Sequence, residues 1–136
     1  MIAIHLACTL IAVDGDTLRC GRERIRLVAI DAPELPGHCR RGRRCAPGDP
    51  VAAQRHLAAG LAGRATIERV GRDRYGRTLA LVRVAGVDLS CRQLTARQAI
   101  YKVRWDNGGR VAAICPAAHR DRRQRAQRAA GATTST

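Results

Sequence analysis

Aromatic side chains are nearly missing from this 136-residue chain, which has no Phe, one Trp and two Tyr. Its core must therefore be filled by Val, Ile, Leu and many Ala. Lysine is scarce too, with Lys102 standing alone beside a large excess of Arg. Acidic residues number 11 against 25 basic ones, a formal net charge of +14. A field of that sign disfavours basic partners and favours polyanions, of which nucleic acid is the commonest. A GC-rich coding bias toward Arg yields the same composition, so charge supports a polyanion without establishing one. Long apolar runs are lacking as well. None approaches the roughly 20 residues of a membrane-crossing helix, so no membrane is expected as a partner. The apolar start, Met1 to Ala7, has neither a basic head nor a cleavage site and reads as a strand of the mature fold.

The length suits one domain, and a monomer is expected. His5–Val13 reads as a strand, Asp14-Gly15-Asp16 as a turn and Thr17–Cys20 as a second strand. Arg24–Asp31 is the third, with Ile25, Leu27 and Ala29 on one face and Arg24, Arg26, Val28 and Ile30 on the other. Between Ala32 and Pro50 lie four of the five prolines and three glycines, the composition of a functional flap. Asp49-Pro50 opens a helix to about Leu61, with Val51, Leu57 and Leu61 as its packing positions. Strands follow at Arg64–Val70 and Leu79–Val84, a turn at Gly86-Val87-Asp88, and a second helix over Leu89–Lys102. Trp105–Gly109 reads as a loop, Ala117–Ala130 as a basic helix or tail, and Thr133–Thr136 as disordered. The expected fold is mainly β with helices (α+β): a five-stranded Greek-key barrel of the OB type with two or three helices. Its domain spans 1–116, followed by a basic segment over 117–136.

Two short islands carry carboxylates to strand ends that an antiparallel hairpin brings together: Asp14-Gly15-Asp16-Thr17, and the run from Arg26 to Glu34. Clustered Asp16 and Asp31 repel unless a cation intervenes, and oxygen ligands select calcium or magnesium over zinc. Glu34, stiffened by Pro33, is placed to hold or deprotonate a water. Arg26 leaves the same strand as Asp31, and Arg77 follows the Asp73-Arg74-Tyr75-Gly76 turn. A lone Asp-Gly-Asp-Thr is more often a plain turn than a site. The conjunction, with two guanidiniums suited to phosphate, points to phosphodiester chemistry. Tyr101 and Trp105 offer stacking faces for bases, core packing being the alternative.

The strings Arg26-Leu27-Val28-Ala29-Ile30-Asp31-Ala32-Pro33-Glu34 and Asp73-Arg74-Tyr75-Gly76-Arg77 resemble signatures of the staphylococcal nuclease (thermonuclease) family. The likeness runs from about Ile11 through Lys102. It implies an OB-fold, calcium-dependent endonuclease that cuts DNA and RNA with little sequence preference and leaves 3′-phosphate ends, magnesium being the alternative ion. By motif position, Asp16 and Asp31 would ligate the ion by side chain and Ala32 by its backbone carbonyl. Glu34 would be the general base, Arg26 and Arg77 would clamp the scissile phosphate, and Tyr75 would contact the nucleotide. Two departures stand out: Ala32 replaces a frequent Thr, and Gln98 sits where a helix-ending glycine is usual. The rivals are a catalytically silent OB module that binds nucleic acid and a basic protein that coats polyanions.

Cys8 and Cys20 are equidistant from the Asp14 turn, and Cys39 and Cys45 flank an Arg-rich segment of the flap, which leaves Cys91 with Cys115. Paired cysteines imply an oxidising, extracytoplasmic or secreted setting. Unpaired buried thiols are an alternative. Zinc on His38, Cys39 and Cys45, with Cys115 or His119, is the least favoured because the spacing fits no common zinc module.

Overall fold

The computed structural model describes residues 8–120, together with 127 and 130. The protein is α+β. Strands β1 (Leu10–Asp14), β2 (Thr17–Cys20) and β3 (Glu23–Leu27) form an antiparallel meander. After β4 (Ile30–Asp31) and a long loop comes helix α1 (Pro50–Ala59), then the antiparallel pair β5 (Ala65–Arg72) and β6 (Thr78–Val84). β7 (Val87–Asp88), helix α2 (Leu89–Thr95), β8 (Ile100–Tyr101) and a 3-10 turn over Val103–Trp105 complete the elements. The main sheet runs β1-β2-β3-β6-β5, with β7 on β6, and β3 meets β6 in parallel. Among the described residues no ladder joins β5 back to β1, so the sheet is open.

Helix α1 starts as its sequence dictates. Asp49 accepts the Val51 and Ala52 N–H groups at 3.0 and 3.2 Å, and Pro50 occupies the first turn, where no donor is lost. Its buried face is Ala53 and Leu57, whereas the expected packing residue Val51 is 41% exposed. Ala53 wins because α1 lies so close to the Asp14-Gly15-Asp16 turn that only small side chains fit. A Cβ on Gly15 would stand 2.6 Å from Ala53 Cβ and 2.8 Å from Ala32 Cβ. Gln93 of α2 locks this contact by donating to Gly15 O at 2.7 Å and Ala53 O at 3.0 Å. The turn that carries Asp16 is thus wedged between two helices and the Ala32 backbone.

Four expectations about the elements need correction. Arg24–Asp31 is not one strand: Ala29 adopts a left-handed φ of 72° and the chain leaves the sheet. Tertiary bonds enforce the break, since Ala29 N donates to Trp105 O at 3.0 Å and its carbonyl accepts Lys102 N at 2.8 Å. Ile30 and Asp31 then pair with Tyr101 and Ile100 instead. The second helix stops at Thr95, far short of Lys102, because Arg97 turns left-handed at φ 59°. Gln98 N then bonds Gln93 O at 2.9 Å and Arg97 N bonds Leu94 O at 3.0 Å, the paired bonds of a Schellman cap. The glycine-like position is therefore Arg97, one before Gln98. Finally, β1 begins at Leu10, later than His5–Val13, and Val87–Asp88 is a short strand rather than only a turn. Residues 5–7 of that strand, most of the basic 117–130 segment and Thr133–Thr136 lie outside the described residues, while 116–120 are helical.

Disulfides join Cys8–Cys20, Cys39–Cys45 and Cys91–Cys115. Cys20 pairs across the ladder with Leu10, so the first bridge closes past the end of β1 instead of between facing strand residues. With their sulfurs bonded, Cys39, Cys45 and Cys115 offer no thiolate to zinc. No helix among the described residues is long and apolar enough to cross a membrane.

Candidate nucleic-acid and metal site

Asp16 is 4% exposed, Asp31 3% and Arg26 7%. Each is set by backbone: Asp16 just before β2, Arg26 within β3, and Asp31 in β4, after the Ala29 break swings the chain round. The Asp16 carboxylate accepts Thr17 Oγ1 at 3.0 Å and Ala32 N at 2.8 Å. Thr17 thereby completes the Asp-Gly-Asp-Thr island as the residue that orients Asp16. Arg26 Nη1 lies 2.7 Å from Asp16 Oδ2, out of line for a hydrogen bond, so this contact is charge pairing. Its Nη2 is 3.6 Å from Asp31 Oδ1. One guanidinium therefore bridges the two carboxylates. Burial raises the Asp31 pKa above its ordinary value; Arg26 opposes the rise and Asp16 adds to it.

Glu34 and Asp31 share a further partner that was not expected, Arg43 of the flap. Its Nη1 bonds Glu34 Oε1, and its Nη2 lies 3.3 Å from Asp31 Oδ1. Asp14, the first residue of its island, anchors the flap. It accepts Leu35 N at 3.2 Å and faces His38 Nδ1 at 3.1 Å, tying the start of the flap to β1. Spacing along the chain identifies neither contact, because both depend on how the flap folds back.

Arg77 is positioned by its own turn. Asp73 accepts Tyr75 N and Arg77 N, both at 2.9 Å, and Arg77 Nε at 2.7 Å, while Gly76 supplies the positive φ of 80°. Burial pushes the Asp73 carboxyl up, but the Arg77 and Tyr75 bonds outweigh it and hold the pKa below its ordinary value. Tyr75 is 37% exposed with Arg40 4.0 Å and Arg77 5.6 Å from its ring. Trp105 is 44% exposed with Arg26 5.3 Å and Lys102 5.7 Å from its ring. A groove of about 440 Å³ runs among Arg26, Arg43, Tyr75, Arg77, Arg104 and Trp105. Asp16, Asp31 and Glu34 are not part of its lining and lie behind Arg26 and Arg43. A larger cavity, about 570 Å³ beside His56, Arg83 and Arg92, holds none of the expected site residues.

Tyr101 belongs elsewhere. It is 2% exposed and its hydroxyl donates to Asp106, a buried carboxylate that also takes Val111 N at 2.7 Å and Ala112 N at 3.0 Å. That ring is a core element, not a stacking face for substrate.

The donor type, though not the present spacing, suits a hard cation. Asp16, Asp31 and Glu34 offer only oxygen, and two buried carboxylates already share one positive charge. Among the described residues the one group of acidic, His or Cys side chains gathered within 4.8 Å is Glu34, Cys39 and Cys45, not Asp16, Asp31 and Glu34, and the disulfide removes both sulfurs as anionic ligands. The chain matches no protein-family model and no curated protein.

Proposed function

We propose that this chain is a divalent-cation-dependent endonuclease that hydrolyses phosphodiester bonds of DNA and RNA with little sequence preference. The observation that carries the reading is a groove lined by Arg26 and Arg77 together with Tyr75 and Trp105, with the Arg26 guanidinium resting on Asp16 and Asp31. The resemblance of the Arg26–Glu34 and Asp73–Arg77 strings to signatures of the thermonuclease family supports it. So does the strand order β1-β2-β3-β6-β5 with its parallel β3–β6 step, which is compatible with an OB-type sheet.

In this reading Asp16, Asp31 and the Ala32 carbonyl would hold calcium, or magnesium in its place. The bound ion would supply Lewis-acid polarisation of a phosphate oxygen. Glu34 orients a water and takes its proton as the water oxygen attacks phosphorus. Arg26 and Arg77 donate to the phosphoryl oxygens as charge builds, the bond to the 5′ oxygen breaks, and that oxygen takes a proton from solvent to become a 5′-hydroxyl, leaving a 3′-phosphate. Tyr75 and Trp105 contact bases by stacking. The three disulfides favour an extracytoplasmic working environment.

One observation favours a second reading. Asp16 is paired with Arg26, and Asp31 and Glu34 with Arg43, as in a silent module whose acids serve only structure. Digestion of plasmid and RNA with calcium, magnesium or chelator, beside Glu34→Gln and Arg77→Ala, separates the two. The nuclease reading expects cation-dependent cutting that both substitutions reduce. Binding with a steep salt slope and no cutting selects the silent module.

A further inference from the structure

Arg43 is anchored differently from Arg26. The Arg26 side chain is 8% exposed, whereas that of Arg43 is 34% exposed on a loop whose backbone lies at the surface. That loop is short and closed: Cys39 and Cys45 bond across it, and Arg43 N donates to Arg40 O at 3.0 Å. From it the guanidinium reaches inward to Glu34 Oε1 and Asp31 Oδ1. Arg43 also lines the groove, so it stands between open space and those two carboxylates.

A divalent cation drawn to Asp31 Oδ1 and Glu34 Oε1 competes with the Arg43 guanidinium for those oxygens and is repelled by its charge. Calcium sits roughly 2.3–2.6 Å from its ligands, which would bring it against an Arg43 fork now 3.3 Å from Asp31 Oδ1. Like charges at that separation repel, and the half-exposed partner yields.

We propose that Arg43 is an exchangeable counter-ion, holding Asp31 and Glu34 until a divalent cation displaces it, with the Cys39–Cys45 loop keeping it at hand. The proposal rests on the reading of Asp31 and Glu34 as cation-side residues. Before loading, Arg43 satisfies two acids that burial would otherwise leave costly. On loading, its fork turns into the groove, beside Arg26 and Arg77, and adds a third guanidinium for phosphate. Arg43 is a positioning residue in the first state, and its removal favours the ion.

Calorimetric titration of calcium into the wild-type protein, Arg43→Ala and Arg43→Gln tests this without reference to cutting. Loss of a half-exposed ion pair corresponds to about a two- to fivefold lower Kd for calcium in both variants. The Cys39→Ser/Cys45→Ser double variant, whose untethered loop holds Arg43 less often, is expected to shift in the same direction. Thermal unfolding of each variant confirms a folded sample. Equal or weaker calcium affinity in folded Arg43→Gln overturns the counter-ion role and leaves the nuclease reading intact. No calcium uptake by any of the proteins overturns both.

Discussion

At the scale of single residues, Arg26 and Arg77 have the same type of side chain but different obligations. Arg77 is held by Asp73 at the surface of a turn, so its loss removes a donor and little else. Arg26 separates two buried carboxylates, and its loss leaves them facing each other. Arg77→Ala is therefore expected to slow cleavage by about 10²–10³-fold with near-native thermal unfolding. Arg26→Ala is expected to lose activity and also about 3–5 kcal/mol of stability, measured by urea denaturation. Equal unfolding midpoints for the two variants would contradict the assigned burial roles. Glu23 carries the clearest pH signature. Its bidentate pair with Arg69, opposed by burial and aided by Thr78, lowers its pKa from 4.5 to about 2. A depressed folded pKa stabilises the protein above the unfolded value and loses that contribution as pH falls from about 4.5 toward 2. Urea midpoints of wild type and Glu23→Gln should accordingly converge across that window and differ at neutral pH.

At the scale of elements, local chemistry was readable wherever local chemistry decides. The Asp49-Pro50 helix start, the β1–β3 meander and the Asp73–Arg77 turn all follow from caps, alternation and turn residues within a few positions. Asp16 and Asp31 do meet around Arg26, but not through the hairpin the sequence suggests, because β3 ends at Leu27 and Asp31 lies in β4 beyond the Ala29 break. What failed depended on partners distant in sequence. Ala29 has no intrinsic reason to turn left-handed, and only its bonds to Trp105 and Lys102 make it do so. Arg97 caps α2 in a conformation that favours glycine, so the sequence pattern alone extends the helix past its true end. Arg97→Gly is expected to stabilise the fold by about 0.5–1 kcal/mol in urea denaturation, since the backbone strain disappears. Gly15→Ala should do the opposite. The added methyl meets two Ala Cβ atoms that cannot rotate away, at a cost of about 1–3 kcal/mol. Because Asp16 follows Gly15, the same change should also weaken calcium uptake.

Across the whole molecule, a core without Phe is reinforced by covalent ties. The bridges span 12, 6 and 24 positions, and loop-closure entropy ranks Cys91–Cys115 as the most stabilising, with about 2–4 kcal/mol typical of one disulfide. Reduction should lower the melting temperature by several degrees or more, and the Cys91→Ser/Cys115→Ser variant should account for the largest share. The +14 charge adds a long-range term. In the proposed reading it would draw a polyanion from any direction and fade with salt, whereas the groove between Arg26 and Arg77 would select one phosphate for attack.

Single-turnover cleavage of a 5′-labelled DNA oligonucleotide, in calcium and then after chelation, tests that selection most directly. Wild type should cut only while the ion is present and leave 3′-phosphate ends, with Arg77→Ala slower by about two to three powers of ten and Glu34→Gln also impaired. An oligonucleotide that stays bound and intact under every condition, or is cut equally well by Arg77→Ala, would contradict the account.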